Sequence, residues 1–191
     1  LQIVAKIAHE FDLLVITDEI YEYIRYDGRP HISPATVGDL WERSVTVMGL
    51  SKTFSITGWR MGYTVASAEL TKAITLVNDL YYICAPTPLQ HGVAAGFNAP
   101  QSYFDSLQTK YQDKRDKICD ALDSAGMTPI IPQGAYYVLA QVGHLGFETA
   151  RDASMALLEE AGVASVPGTS FFQGDTGQGL VRFCFAKDDD V

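Results

Sequence analysis

The amino-acid sequence predicts an α/β protein in which a mostly parallel sheet with helices is followed by a small α+β domain. Short apolar runs typical of buried strands are interspersed with segments whose apolar residues recur at helical spacing. After a long helical segment near residues 101–125, the predicted strands cluster around a single helix. The chain has 191 residues, 47% hydrophobic and 19% charged, which is enough for one large domain or two small ones.

The first half of the chain combines helices with three predicted strands. Residues 13–17 form a continuous apolar run, which is typical of a strand buried on both faces. Glycine and proline then mark a loop near residues 27–34. Two more buried strands are expected at 44–49 and 62–66, and helices are expected at 1–10, 69–82 and 88–98.

The second half begins with one long amphipathic helix over about residues 101–125, which Gly126 ends. We place the domain boundary in this helix, with residues 1–110 in a large domain and 111–191 in a small one. In the small domain, strands are expected at 128–131, 135–140, 163–166 and 180–185, with a helix at 149–161.

Composition and charge argue against several classes of function. The formal net charge is −9 and the charged residues are scattered, so no basic face suited to nucleic acid is expected. The three cysteines are widely spaced and form no ligand pattern with the four histidines. This favours reduced thiols, a cytoplasmic protein and no metal site. No apolar run approaches the ~20 residues that span a membrane, so no membrane partner is expected.

Both ends of the sequence read as interrupted elements. The chain opens without methionine on an apolar helical pattern. Residues 187–191 resemble a helix start, because acidic residues favour helix N-termini. We therefore expect a piece of a longer protein, with a complete small protein as the alternative.

Lys52 directly follows the predicted strand at 44–49 and lies among residues rich in hydroxyl groups. A lysine at a strand end can form a Schiff base with a carbonyl compound. Arg60, eight positions later, offers a planar fork for a bound phosphate. A solvated surface lysine is the alternative, and these residues alone favour neither interpretation.

Asp18 ends the first predicted strand, and ligands of open α/β sheets bind at such strand ends. Its carboxylate could hold the protonated nitrogen of a pyridine ring. Tyr21 could donate a hydrogen bond to a phenolic oxygen on the same ring. The alternatives are a helix cap or loop residue for Asp18 and a half-buried aromatic for Tyr21.

Arg182 interrupts an otherwise apolar predicted strand. Arginine is rarely buried without a partner, so Arg182 could bind the carboxylate of a substrate in bidentate fashion. An exposed position on an edge strand is the alternative.

Four segments of the chain occur in the order and approximate spacing found in class I/II aminotransferases, which are fold-type-I enzymes that use pyridoxal 5'-phosphate (PLP). They are residues 18–21, 51–54, 58–63 and 181–186. The chain resembles that family over essentially its whole length. Residues 84–90, 103–104 with 114–116, and 132–137 resemble the branch that contains kynurenine, glutamine and methionine aminotransferases and cysteine-conjugate β-lyases.

The resemblance implies a role for each candidate residue. Lys52 would hold PLP as a Schiff base and shuttle the proton of the substrate's α-carbon. Asp18 would pair with the pyridinium nitrogen, Tyr21 would contact the phenolic oxygen attached to the ring, and Arg60 would bind the phosphate. Arg182 would bind the α-carboxylate of the substrate.

Two departures from the family pattern bear on these roles. Many relatives carry a phosphate-binding serine three residues before the lysine, where this chain has Gly49, and Ser51 is a candidate substitute. About half of such an enzyme is absent. Residues 1–110 correspond to the C-terminal half of the large PLP-binding domain, and 111–191 correspond to an incomplete small domain. We therefore expect this chain alone to be a poor or inactive enzyme.

The expected activity is transfer of an amino group between an α-amino acid and a 2-oxo acid, in a homodimer. One alternative keeps the cofactor and changes the reaction, to β-elimination from cysteine conjugates. A second is an aminotransferase-like regulatory module without enzyme activity, and a third is a degenerate fragment with a structural role.

Overall fold

The computed structural model describes residues 1–188, and the chain divides into two compact units. The division falls inside the long helix Gln101–Ser124, close to the extent that the sequence predicts for this helix. Unit 1 comprises Leu1–Tyr23 and Pro30–Leu107, and unit 2 comprises Ile24–Arg29 and the chain from Gln108 onward.

Unit 1 contains helices and a three-stranded sheet, and the predicted α/β class is confirmed. Its elements are α1 (Gln2–Glu10), β1 (Val15–Asp18), β2 (Ser44–Gly49), α2 (Leu50–Thr53), β3 (Gly62–Ala66), α3 (Ala68–Tyr81), α4 (Thr87–Gly96) and the start of α5 (Gln101–Ser124).

Among the described residues the sheet of unit 1 is mixed, with one parallel and one antiparallel pair of strands. The strand order is β1-β2-β3, with β1 parallel and β3 antiparallel to β2. A parallel connection needs a crossover, usually made by a long helix. The link from β2 to β3 contains only the short helix α2 and a 3-10 turn at Thr57–Trp59, so the chain reverses direction there.

The outer strands β1 and β3 are exposed, which corrects the prediction that all three strands are buried on both faces. Ile16 in β1 is 72% exposed and Val65 in β3 is 41% exposed. The central strand β2 buries only one face, through Ser44, Thr46 and Met48. β1 and β3 are the edges of the sheet, and within the described residues each has a neighbouring strand on one side only.

A second group of exposed apolar residues lies on and just after α3. Leu76, Leu80 and Tyr81 are 64%, 83% and 87% exposed, and Ile83 is 73% exposed. Large exposed apolar patches are typical of surfaces that contact another protein or chain segment. Among the described residues, no helix is both long enough and apolar enough to cross a membrane.

Unit 2 is built on an antiparallel sheet. Strand order is β4-β5-β7-β6, and Val138, Ala140, Val181 and Phe183 are buried at alternate positions of its two central strands. One face of the sheet therefore forms the core of the unit. The elements are the remainder of α5, β4 (Thr128–Ile130), β5 (Tyr137–Gln141), α6 (Ala150–Ala161), β6 (Val166–Pro167) and β7 (Leu180–Cys184). The predicted helix start at 187–191 lies mostly outside the described residues.

The segment Ile24–Arg29 belongs to unit 2, whereas the predicted boundary assigns it to the first domain. The backbone N–H of Ala135 donates to the carbonyl of Ile24 at 2.9 Å, and the hydroxyl of Tyr26 donates to the carbonyl of Ala135. Arg115, only 4% exposed, donates two hydrogen bonds to the Asp27 carboxylate at 2.7 and 3.0 Å. These bonds from Arg115 hold the pKa of Asp27 below its ordinary value. Such contacts join residues far apart in sequence, so no local pattern predicts them.

Gly168 is expected to be essential to the stability of unit 2, because two backbone carbonyls occupy the space of a side chain. A Cβ atom at Gly168 would lie 2.4 Å from the carbonyl oxygen of Gly177 and 2.7 Å from that of Leu180. Gly168→Ala should lower the free energy of unfolding by about 1–3 kcal/mol, measured by urea titration. Gly179→Ala is the matched control, because its nearest neighbour would be 3.9 Å away. Equal losses in the two variants would contradict the close approach.

Candidate functional site

The three segments with predicted site residues in unit 1 meet at one end of its sheet. The parallel strands β1 and β2 end there, β1 at Asp18, which pairs with Val47 of β2. The antiparallel strand β3 begins at the same end, where Gly62 pairs with Gly49. Asp18, the α2 turn that follows β2 and the turn before β3 therefore lie at a common edge. The sheet register accounts for this arrangement, which the sequence order alone does not determine.

Lys52 lies in the four-residue helix α2, which is anchored on both sides. The N–H of Leu50 donates to the carbonyl of Met61 at 3.1 Å, and both side chains are buried in one cluster with Val93. The hydroxyl of Tyr103 donates to the carbonyl of Thr53 at 2.6 Å. These contacts fix the backbone on either side of Lys52, whose own side chain is half-buried.

Tyr103 is a supporting residue that the sequence does not identify as part of the site. In the sequence, Tyr103 is recognisable only as an apolar position on a long helix and as part of a segment that resembles the family. A tyrosine on a buried helix face usually places its hydroxyl on a polar partner, and this is the signal that could have found it.

Arg60 adopts a left-handed backbone conformation, with φ of 56° and ψ of 41°. A non-glycine residue in this region costs about 1–3 kcal/mol, and such residues cluster at functional sites. Its side chain is exposed, and its guanidinium donates to the carbonyl of Thr57 at 3.2 Å. The next residue, Met61, is anchored in the buried cluster, so the turn holds Arg60 at the sheet edge.

Asp18 and Tyr21 lie in the turn that leaves β1. The carboxylate of Asp18 is exposed and accepts a hydrogen bond from the backbone N–H of Ile20 at 3.2 Å. The N–H of Glu19 donates to the carbonyl of Val47 at 2.9 Å, which extends the pairing with β2 by one residue. Tyr21 is half-buried in this turn.

Gly49, three residues before Lys52, is covered by a neighbouring side chain. A Cβ atom at Gly49 would lie 2.4 Å from Cδ1 of Ile20. A serine at this position would therefore require Ile20 to move. Ser51, the candidate substitute, is half-buried in α2 and its carbonyl accepts a hydrogen bond from the N–H of Ile56 at 3.1 Å.

Glu19 forms a buried polar network beside Asp18 that sequence reasoning missed. Its carboxylate accepts hydrogen bonds from Thr17 at 2.7 Å and Ser33 at 2.8 Å, and contacts Nε2 of His31 at 2.6 Å. Burial raises the pKa of Glu19, but the bonds from Thr17, Ser33 and His31 together lower it more. The network ties the end of β1 to the loop that carries His31 and Ser33.

Glu19→Gln is expected to destabilise the protein at neutral pH by about 1–2 kcal/mol, because hydrogen bonds to a charged acceptor are lost. A carboxyl whose folded pKa is lowered stabilises above its unfolded pKa of about 4.3, and this stabilisation disappears as pH falls through the folded value. The difference between the variant and the parent should therefore narrow below about pH 4. Thermal unfolding measured from pH 3 to 7 tests this, with exposed Glu10→Gln as the control. A difference independent of pH would contradict the charged network.

Arg182 lies in unit 2, on β7, which is a central strand of its sheet rather than an edge strand. Its partners across the strands are Leu139 on β5 and Val166 on β6. The guanidinium lies 4.1 Å from the ring centroid of Tyr137 and 4.2 Å from that of Phe171. The sequence indicates the unusual arginine but not these aromatic neighbours.

In the part of the chain that the structure describes, no group of three or more His, Cys, Asp or Glu side chains could hold a metal ion. The cysteines Cys84, Cys119 and Cys184 are free thiols, and burial raises the pKa of Cys119.

Comparison with known proteins gives consistent results along the whole sequence. The family model described as aminotransferase class I and II matches residues 1–191. The kynurenine–oxoglutarate transaminase of Dictyostelium discoideum is 35% identical over an alignment of 208 residues, gaps included. This alignment covers 98% of this chain and 47% of that protein. The aspartate aminotransferase of Pyrococcus abyssi is 34% identical, with coverage of 97% and 48%.

Solved structures agree with the sequence comparisons. The N-succinyldiaminopimelate aminotransferase from Mycobacterium tuberculosis superposes with a TM-score of 0.92 at 30% identity. The match covers 98% of this chain and 49% of that one. The chain thus spans about half the length of the curated relatives it matches.

Proposed function

The chain belongs to the class I and II aminotransferase family, and from this we propose that the protein carrying it moves an amino group between an α-amino acid and a 2-oxo acid, with PLP as cofactor. The observation that carries the proposal is the sheet end of unit 1, where register brings Asp18, the Lys52 turn and Arg60 to one edge. The relatives named as transaminases support the same reaction class.

The chemistry of this set of residues fits PLP. Lysine supplies the amine that condenses with the aldehyde of the cofactor, and a carboxylate suits a protonated pyridine nitrogen. An arginine suits a phosphate, which accepts paired hydrogen bonds from a guanidinium. When bound, PLP supplies an electron sink that makes the α-hydrogen of an amino acid acidic.

Each candidate residue of the site then has a defined role. Lys52 would hold the cofactor covalently, and its amine, once the amino group of the substrate has displaced it, would take the proton from the α-carbon of the substrate. The carboxylate of Asp18 would keep the proton on the ring nitrogen, and the hydroxyl of Tyr21 would donate to the phenolic oxygen attached to the ring. Arg60 binds the phosphate, and Ser51 adds a hydroxyl. These roles follow from the chemistry of the side chains and from the family.

Arg182, from unit 2, binds the α-carboxylate of the amino acid. A guanidinium forms two parallel hydrogen bonds with a carboxylate, which fixes the orientation of the substrate as well as its affinity. An interaction made equally with bound substrate and transition state changes KM more than kcat, so loss of Arg182 should mainly raise KM.

We further propose that the protein works as a homodimer in the cytoplasm. The exposed apolar residues after the middle of α3, such as Leu80 and Tyr81, supply a surface suited to a protein partner. The three free cysteines are consistent with a reducing compartment.

The test is a transamination assay on the PLP-loaded protein that carries this chain. A panel of amino acids, including kynurenine, glutamine and aspartate, is incubated with 2-oxoglutarate, and amino-acid products are separated by chromatography. We expect a new amino acid to accumulate only when both the donor and the 2-oxo acid are present. Failure to bind PLP would overturn the proposal.

The same assay separates the alternatives. Release of pyruvate from a cysteine conjugate without a 2-oxo acid would indicate β-elimination, because the leaving group departs from the β-carbon. Binding of PLP without turnover of any donor would indicate a regulatory module in place of an enzyme.

A further inference from the structure

The guanidinium of Arg182 lies over two aromatic rings that come from different elements of unit 2. Its central carbon lies 4.1 Å from the centroid of the Tyr137 ring and 4.2 Å from that of Phe171. Arginine stacks on aromatic rings because its delocalised positive charge is attracted to the electron-rich ring face. Arg182 lies on a strand whose other residues are apolar, and two rings from other elements contact its guanidinium.

The register of the sheet determines the position of the first ring. Arg182 of β7 pairs with Leu139 of β5, and Tyr137 lies two residues before Leu139 on the same face. Diagonal neighbours of this kind in an antiparallel pair are within reach of long and aromatic side chains. The ring of Tyr137 is therefore held beside Arg182 by regular backbone pairing.

The second ring reaches Arg182 from a tight turn. Phe171 follows the 3-10 turn Gly168–Ser170, and its N–H donates to the carbonyl of Gly168 at 2.9 Å. Gly168 itself packs against the backbone at Gly177 and Leu180, where β7 begins. This close packing holds the turn, and with it Phe171, against the strand that carries Arg182.

We propose that Tyr137 and Phe171 are positioning residues that fix the plane of the Arg182 guanidinium for the carboxylate of the substrate. The inference rests on the proposed function, in which Arg182 binds that carboxylate. The five N–H donors of a guanidinium lie in its plane, so rings stacked on its faces leave the donors at its edge accessible. A guanidinium held in this orientation loses less conformational freedom when the carboxylate binds.

The test compares variants that lose a ring with variants that keep it, in the PLP-loaded protein that carries this chain. Phe171→Leu and Tyr137→Leu should each raise KM for the amino acid and the 2-oxo acid about tenfold, with kcat changed less than about twofold. Phe171→Tyr and Tyr137→Phe keep a ring and should retain the KM of the parent. Calorimetry with propionate, a carboxylate without an amino group, should show the same rise in Kd for the leucine variants.

The Arg182→Lys background separates this inference from the proposed function. Arg182→Lys should raise KM by itself, and adding Phe171→Leu should then have no further effect, because no planar group remains to be positioned. Unchanged KM in Arg182→Lys would overturn the carboxylate role of Arg182. A raised KM in Arg182→Lys with normal KM and Kd in the leucine variants would overturn the positioning role alone. Thermal unfolding confirms that each variant is folded, and either leucine variant is sufficient for the decision.

Discussion

Lys52→Ala is expected to abolish covalent attachment of PLP and to lower the transamination rate by at least ~10²–10⁴-fold, the usual contribution of a positioned acid–base group. The alanine variant lacks both the amine that binds the aldehyde and the base that takes the α-proton. The fold should change little, because the neighbouring backbone is anchored by Leu50 and by the bond from Tyr103 to Thr53. Loss of activity in Lys52→Ala would therefore result from the missing amine and not from a change in the fold.

The measurement for Lys52 is reduction with borohydride followed by mass spectrometry of peptides. In the parent protein, the reduced cofactor should be found on the peptide that contains Lys52. Lys72→Ala, an exposed lysine on α3, is the control and should keep both the label and the activity. Label retained by the Lys52→Ala protein would show that another lysine forms the covalent bond.

Asp18→Asn is expected to lower kcat by about 10²–10³-fold, the cost of removing one group that stabilises charge in a transition state. Asparagine has the same shape and can still accept the hydrogen bond from the N–H of Ile20, so the turn should be kept. It lacks the negative charge that holds a proton on the ring nitrogen. Because Lys52 is intact, borohydride should still trap the cofactor on the protein.

This combination of slow turnover and normal trapping is the expected result for Asp18→Asn. Asp79→Asn, at an exposed position on α3, is the control and should keep the parent kcat. A parent-like kcat in Asp18→Asn would show that the carboxylate of Asp18 does not contribute to catalysis. Loss of trapping would instead assign Asp18 to cofactor binding or to the local fold.

Elements with strong local signals were well predicted from the sequence. β2 and β3 lie at the predicted residues, because β-branched runs are bounded there by glycine or short turns. α6 begins at a capping box between Thr149 and Asp152 and ends at Gly162, which has φ of 69°. The family prediction is confirmed by the match over the whole chain.

Features that depend on pairing between distant residues could not be predicted. The direction of β3 depends on the lack of a crossover helix, and the exposure of β1 depends on which strands flank it. The order of the motifs identifies Asp18, Lys52 and Arg60, but their common edge follows from register. Glu19 was missed because glycine and proline predict the loop near residues 27–34 but not that its residues His31 and Ser33 contact this carboxylate. The roles of the site residues stay predictions.

The membership of residues 24–29 in unit 2 makes that unit non-contiguous, and this has a consequence for synthesis. Asp27 leaves the ribosome 88 positions before its partner Arg115, so the pair cannot form until most of α5 has been made. A nascent chain that ends within unit 1 therefore holds Tyr26 and Asp27 without the residues that they contact in unit 2. No single cut of the polypeptide, at residue 107 or elsewhere, yields both units complete.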